Sequence, residues 1–211
     1  MIDPKFKLYF SIFLIWLFSI SGIFGIQSEG YTDWFLSATP LNLLLSFLIL
    51  IINLKSFKKS YIIGFLIPFA LGFITEALGV NYGLIFGSYE YGNNLGYKVW
   101  GVPVMICFNW ALLTAITADI ASFVSRSVWV RAFIGAALMT GLDVIIEVSA
   151  PRFDFWEFEG GVVPIQNYLG WLSIAFLAHL GYQYYKVESN QKISLHLFIS
   201  MLIFFSVFLF V

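Results

Sequence analysis

Asp143 and Glu147 lie four residues apart in the apolar stretch GLDVIIEVSA, and Glu76 sits in another, GFITEALGV. Four residues is about one helical turn, so the first two side chains project from one face. That face continues back through Thr140 and Ala136 as a narrow stripe of small and polar groups. Carboxyls within hydrocarbon are costly and normally face a bundle interior or a water-filled cavity. Two of them about 6 Å apart repel when both are ionised, which favours a pair that holds one proton, as a general acid requires. Asp143, Glu147 and Glu76 are therefore the candidate catalytic set. The bland alternative is that these acids pair with Arg152, Lys98 or Asn side chains and glue helices together. For any single acid the two readings weigh equally; the gathering of all three favours chemistry.

Around these acids the sequence supplies aromatic and amide groups. The stretch Thr75–Pro103, TEALGVNYGLIFGSYEYGNNLGYKVWGVP, interrupts the hydrocarbon with Tyr82, Phe86, Tyr89 and Tyr91 among several glycines. An aromatic belt at the membrane interface would also use such residues. Their density here exceeds what anchoring needs, so a lid or pocket wall is expected, with faces that can stabilise a cation by about 0.5–2 kcal/mol each. Asn109, Trp110, Trp156, Asn167 and Trp171 complete the expected substrate-binding set, with Asn167 as a helix N-cap. His179 is expected to make an interhelical contact, Asp119 to cap or reach water, and Cys107 to serve as a small buried hydrophobe. The sequence has no phosphate-binding glycine loop after a strand, no His-x-x-x-His or cysteine cluster for a metal, and no Gly-x-Ser-x-Gly elbow. No metal and no cofactor are expected.

These groups must be held by helices. Of 211 residues, 60% are hydrophobic, 20% aromatic and 11% charged, well above the roughly 45–50% apolar share of a soluble domain. The expectation is an all-α, polytopic membrane bundle. Windows of about 20 apolar residues place seven spans near 8–26, 34–54, 61–79, 102–124, 128–150, 167–185 and 193–211, with polar loops at 80–101 and 151–166. Leu8–Ile26 is longer than a signal-peptide core and lacks a small-x-small cleavage site, so it counts as a span. Lys5, Lys7, Lys55, Lys58, Lys59, Arg126, Arg131, Lys186 and Lys192 fall in alternate loops, which puts the N-terminus in the cytoplasm. On that topology Glu76, Asp143, Glu147, Asn109, Asn167 and Trp171 all lie toward the outer side. One membrane domain, 1–211, is expected, in contact with the lipid bilayer. A net charge of −1 sorted among loops suggests no nucleic-acid partner.

An ordered set of these residues resembles the bacterial and archaeal carotenoid biosynthesis membrane family that contains carotenoid 1,2-hydratases and bisanhydrobacterioruberin hydratase. The matching features are Glu76 with Gly79, Phe86-Gly87-Ser88-Tyr89 with Tyr91, Leu95-Gly96, Gly101-Val102-Pro103 and Trp110. Asp143, Glu147, Ala150, Trp156, Pro164-x-x-Asn167 and Gly170-Trp171 continue it. Val148 departs from an expected proline, and Gly160-Gly161 from a more aromatic approach to Pro164. The resemblance implies a cofactor-independent hydro-lyase of the bacterial cytoplasmic membrane that adds water to the terminal C1=C2 double bond of an acyclic carotenoid. It also implies a lipid-soluble carotenoid substrate and other carotenoid biosynthesis enzymes as partners. End-group cyclisation would share the same cation. A proton-coupled transporter or a carotenoid-binding protein would also bury carboxyls in a bundle, but a transporter favours acids spread across the membrane.

Overall fold

A computed structural model describes residues 3–210. Among them are eight α-helices: α1 (Pro4–Gln27), α2 (Thr32–Ser37), α3 (Thr39–Ile52), α4 (Lys59–Tyr82), α5 (Val104–Ser122), α6 (Val128–Glu147), α7 (Ile165–Tyr184) and α8 (Gln191–Val207). Four of them, α1, α4, α5 and α6, are long and apolar enough to cross a membrane, and the chain is a membrane protein. Five expected spans coincide with α1, α4, α5, α6 and α7 to within four residues at each end.

The span expected at 34–54 needs correction, because it is broken. The Ala38 amide bonds back to the Trp34 and Phe35 carbonyls and closes α2. Pro40 occupies the first turn of α3, where its missing N–H is tolerated. The 14 residues of α3 rise only about 21 Å, against a hydrocarbon core of about 30 Å. The last expected span, 193–211, corresponds to α8, which stops at Val207; Val211 lies outside the described residues.

The bundle itself is helical, and both polar loops add short strands. β1 (Tyr89–Tyr91) pairs antiparallel with β4 (Trp156–Phe158), in the register Tyr89 with Phe158, Glu90 with Glu157 and Tyr91 with Trp156. β2 (Lys98–Val99) and β3 (Val102–Pro103) form a second small ribbon. The sequences YEY and WEF alternate aromatic and acid, and a strand sends alternate side chains to opposite faces. Tyr89, Tyr91, Trp156 and Phe158 therefore share one face of the ribbon, and Glu90 and Glu157 the other.

The α5 helix lies at the centre. Nearly every residue from Trp110 to Ala121 is buried, which only a helix surrounded on all sides permits. Helices α3, α4, α6, α7 and α8 pack around it. α6 instead buries one stripe, Ala132, Gly135, Ala136, Met139, Leu142, Asp143, Ile146 and Glu147, at the three-four spacing of one face. Opposite the ribbons, at the basic end, the Lys55 amide donates to the Glu188 carbonyl at 2.9 Å and Lys7 Nζ to the Ile52 carbonyl at 3.0 Å. Ser189 and Ser194 of the α7–α8 region both donate to Asp119 of α5. The loops carrying most of the lysines thus gather at one end, and the aromatic ribbons at the other.

Candidate active site

Gly72, Glu76 and Gly79 recur at spacings of four and three, so they share one face of α4. A Cβ at Gly72 would stand 2.5 Å from the Trp110 ring, and one at Gly79 would stand 2.7 Å from the Tyr89 ring. The two glycines thus let an indole and a phenol lie directly against the helix on either side of the carboxyl. Trp110 Nε1 donates to Glu76 Oε1 at 2.9 Å. Tyr91 donates to Oε2 at 2.7 Å, and Tyr89 donates to the same oxygen. Three donors and no acceptor surround a group that is 3% exposed, an arrangement suited to an ionised carboxylate, which only accepts. Burial, and then the adjacent Glu76 charge, hold both Tyr89 and Tyr91 well above the usual phenol range, so these hydroxyls keep their protons and donate.

Across the cleft, α6 presents Asp143 and Glu147 from one face. The α7 side chain of Asn167 bridges them: Nδ2 donates to Asp143 Oδ2 and to Glu147 Oε1, each at 3.0 Å. Trp156 Nε1, on β4, donates to Glu147 Oε2 at 2.9 Å. Asp143 therefore accepts one hydrogen bond and Glu147 two. Of the pairings that would make these acids structural glue, the site shows the one with an Asn side chain, since Asn167 ties α7 to both acids of α6. Lys98 Nζ donates to the Tyr91 carbonyl and Arg152 to the Phe208 carbonyl.

The aromatic face of the β1–β4 ribbon roofs the space between these walls. Tyr89 packs on Phe158 at 5.1 Å between ring centroids and Tyr91 on Trp156 at 6.1 Å. The Gly92 amide to the Phe155 carbonyl and the Asn93 amide to Asp154 Oδ2 extend the pairing beyond the strands. On the third side Trp110 and Trp171 stack at 4.4 Å with 14° between planes, a geometry that adds about 0.5–1.5 kcal/mol beyond its buried area. Phe86 leans on both. It is delivered by Ile85, which has φ of 68°. Left-handed backbone at a β-branched residue is strained, and that strain is held in place where the site needs an aromatic ring.

The cleft enclosed this way is lined by Glu76, Phe86, Tyr89, Tyr91, Asn109, Asp143, Glu147, Trp156, Asn167 and Trp171. Trp110 stands behind this lining, fully buried, and holds Glu76. Tyr82 is a correction: it is 72% exposed and takes no part in the cleft. It lies six residues past Glu76, about 240° around the helix. Asn167 is a second correction. The N-cap of α7 is Pro164, and Asn167, one turn inside the helix and 1% exposed, spends its amide on the two acids. Asn109 lines the cleft and makes no side-chain hydrogen bond among the described residues.

Sequence reasoning missed Phe158, Met139, Ile106, Leu113 and Ile146, all of which also line the cleft. Met139 was legible as the residue one turn before Asp143. The ribbon could have been suspected from the repeated aromatic-acid-aromatic pattern of YEY and WEF. His179, as expected, is internal: it meets Thr117 Oγ1 at 2.9 Å and the Ala175 carbonyl at 2.7 Å, packed against Gly135. Among the described residues no group of three or more His, Cys, Asp or Glu is placed to hold a metal.

The family model described as "Carotenoid biosynthesis protein" matches residues 39–211, which span α3 to α8 and every residue of the cleft. Searches of the curated proteins and of the solved structures returned no match.

Proposed function

The chain belongs to the carotenoid biosynthesis protein family, and from that membership we propose that it hydrates the terminal C1=C2 double bond of an acyclic carotenoid end group. The observation that carries this reading is the unequal donation to three carboxyls around one aromatic cleft. Asp143, with a single donor, keeps an oxygen for a proton and is assigned as general acid. Glu147, with two donors, is better served as carboxylate and is assigned as general base. Glu76, with three, stays ionised and supplies fixed negative charge.

In the proposed step Asp143 gives its proton to C2, the π pair forms the new C–H bond, and C1 becomes a tertiary cation. The faces of Trp171, Phe86 and Tyr89 and the charge of Glu76 stabilise it. A water held between Glu147 and the Asn109 amide attacks C1 and yields its proton to Glu147. That proton returns to Asp143, which shares Asn167 with Glu147. The net change is alkene plus water to tertiary alcohol, with no electron transfer. The aromatic and aliphatic lining of the cleft suits an apolar end group, leaving the polyene in lipid. On this reading α2 and α3 together make one of seven crossings, and the positive-inside rule puts the basic end in the cytoplasm of a bacterial cell.

The test is to express the chain in cells that accumulate an acyclic carotenoid and to compare pigment masses in ordinary and oxygen-18 water. Hydration adds one water per modified end, carrying the solvent label. A product of unchanged mass and altered retention would replace hydration with cyclisation through the same cation.

A further inference from the structure

At the basic end, 12 residues from α5, α6, α7, the start of α8 and the loops after α3 and α7 line a polar cavity. It shares none of its lining with the carboxylate cleft. Gln183 is 8% exposed, yet among the described residues neither its amide oxygen nor its amide nitrogen has a hydrogen-bond partner, and Arg131 Nε is likewise buried and unpartnered. A buried donor or acceptor left unpaired is destabilising, so this constellation is built for something that enters it.

The charge identifies the occupant. Lys55, Arg131 and Lys186 face the cavity from three different elements, and none of them makes an ion pair among the described residues. Of the two lining acids, Glu188 is bridged to Lys58 at 3.0 Å and Asp119 is occupied by the hydroxyls of Ser189 and Ser194. Lys55, Arg131 and Lys186 outnumber the two lining acids, and with an amide donor they suit a phosphate oxyanion.

Depth and shape identify its source. Trp129 on the first turn of α6 and Tyr184 on the last turn of α7 are 66% and 79% exposed, where amphipathic rings mark the headgroup level of a bilayer. From the cavity an apolar groove, lined by Val128, Leu180 and Tyr184, runs along the α6–α7 surface. Gln183 and Lys186 belong to both.

We propose that this cavity binds the phosphate of an anionic phospholipid, with an acyl chain lying in the α6–α7 groove. Basic pockets between membrane helices are suited to such headgroups. The site is independent of the hydration chemistry, and its test involves no turnover.

The full chain in detergent would be titrated with dioleoylphosphatidylglycerol, dioleoylphosphatidylcholine and inorganic phosphate, with bound molecules counted by native mass spectrometry. The expected result is one phosphatidylglycerol bound at least about ten-fold more tightly than phosphatidylcholine. That preference is lost in Arg131→Gln and in Gln183→Leu and kept in Lys5→Gln. Gln183→Leu removes both orphaned atoms, so it should also raise the lipid-free melting temperature while abolishing the lipid-dependent rise. Should Arg131→Gln not fold, the wild-type preference and Gln183→Leu decide. Equal affinity for the two lipids, or a preference that survives Gln183→Leu, overturns the proposal. Inorganic phosphate that displaces the lipid at equal concentration overturns the lipid assignment and leaves a small-anion site.

Discussion

Glu76, on the α4 wall of the cleft, receives three donors on its two oxygens, whereas Asp143, on the α6 wall, receives one. Both are buried carboxyls at the ribbon end of the same bundle, 3% and 2% exposed, so burial does not distinguish them. The difference lies in what the neighbouring elements bring. α4 has glycines on either side of its acid, which admit an indole and a phenol, and the ribbon adds a second phenol. α6 meets α7 through an amide that divides itself between two acids. On the proposed reading, the carboxylate surrounded by donors keeps its charge, and the pair that shares one amide carries and passes a proton. On the proposed chemistry the first wall stabilises a cation and the second makes it.

The comparison breaks most sharply at Asp143. Asp143→Asn keeps an acceptor for Asn167, so hydration should fall by about 10³-fold with the melting temperature nearly unchanged. Glu147→Gln should behave similarly. Pigment analysis beside thermal unfolding checks both, and wild-type turnover in both variants would remove the proton-carrying role from this wall.

Glu76→Gln should show the opposite emphasis. Its new amide nitrogen would face groups that also donate, so folding stability should drop by about 3 kcal/mol or more. Denaturation in detergent would measure this; a variant as stable as wild type would mean the cage does not depend on charge.

A smaller effect is expected for Tyr91→Phe, which removes one of three donors and should cost about 1.5–3 kcal/mol. It should also change the response to alkali. Because the folded pKa of each phenol is raised, the unfolded chain loses its tyrosine protons first. Their contribution is thus complete below the ordinary value of 10.0 and is lost as pH climbs from there toward the folded value. In that window each tyrosine steepens the loss by about 1.4 kcal/mol per pH unit. Tyr91→Phe should flatten the decline in melting temperature between about pH 10 and 11; an unaltered slope would show that Tyr91 is not held in this way.

The smallest effect belongs to the basic end. Lys58 and Glu188 form an ion pair at 3.0 Å with both side chains more than half exposed, and water screens such pairs. Lys58→Gln should leave melting temperature and hydration unchanged, a baseline for the losses at the ribbon end.

Much of the cleft was legible because a carboxyl in hydrocarbon is conspicuous. Asp143 and Glu147 follow from one-turn spacing, and Glu76, Asn109, Trp156 and Trp171 from polar or aromatic groups near span ends. What failed was orientation. Tyr82 looked equivalent to Tyr89 in a loop rich in tyrosine, but it sits on the far side of the last turn of α4. Asn167 looked like a cap because Asn at a helix start satisfies orphan backbone donors, yet Pro164 takes the cap position and the amide turns inward. The span expected at 34–54 read as continuous because hydropathy averages over the break before Pro40, and backbone hydrogen bonding does not.

The sequence by itself determined the solvent, the helices and the identity of the acids. Those depend on composition and on periods of a few residues, which are local. Only the tertiary structure decided how many donors each acid receives. That depends on which donors arrive from Trp110, Asn167 and a ribbon joining Tyr89–Tyr91 to Trp156–Phe158, segments far apart in the chain. Proton affinity is set by partners brought through space, and no local pattern names them.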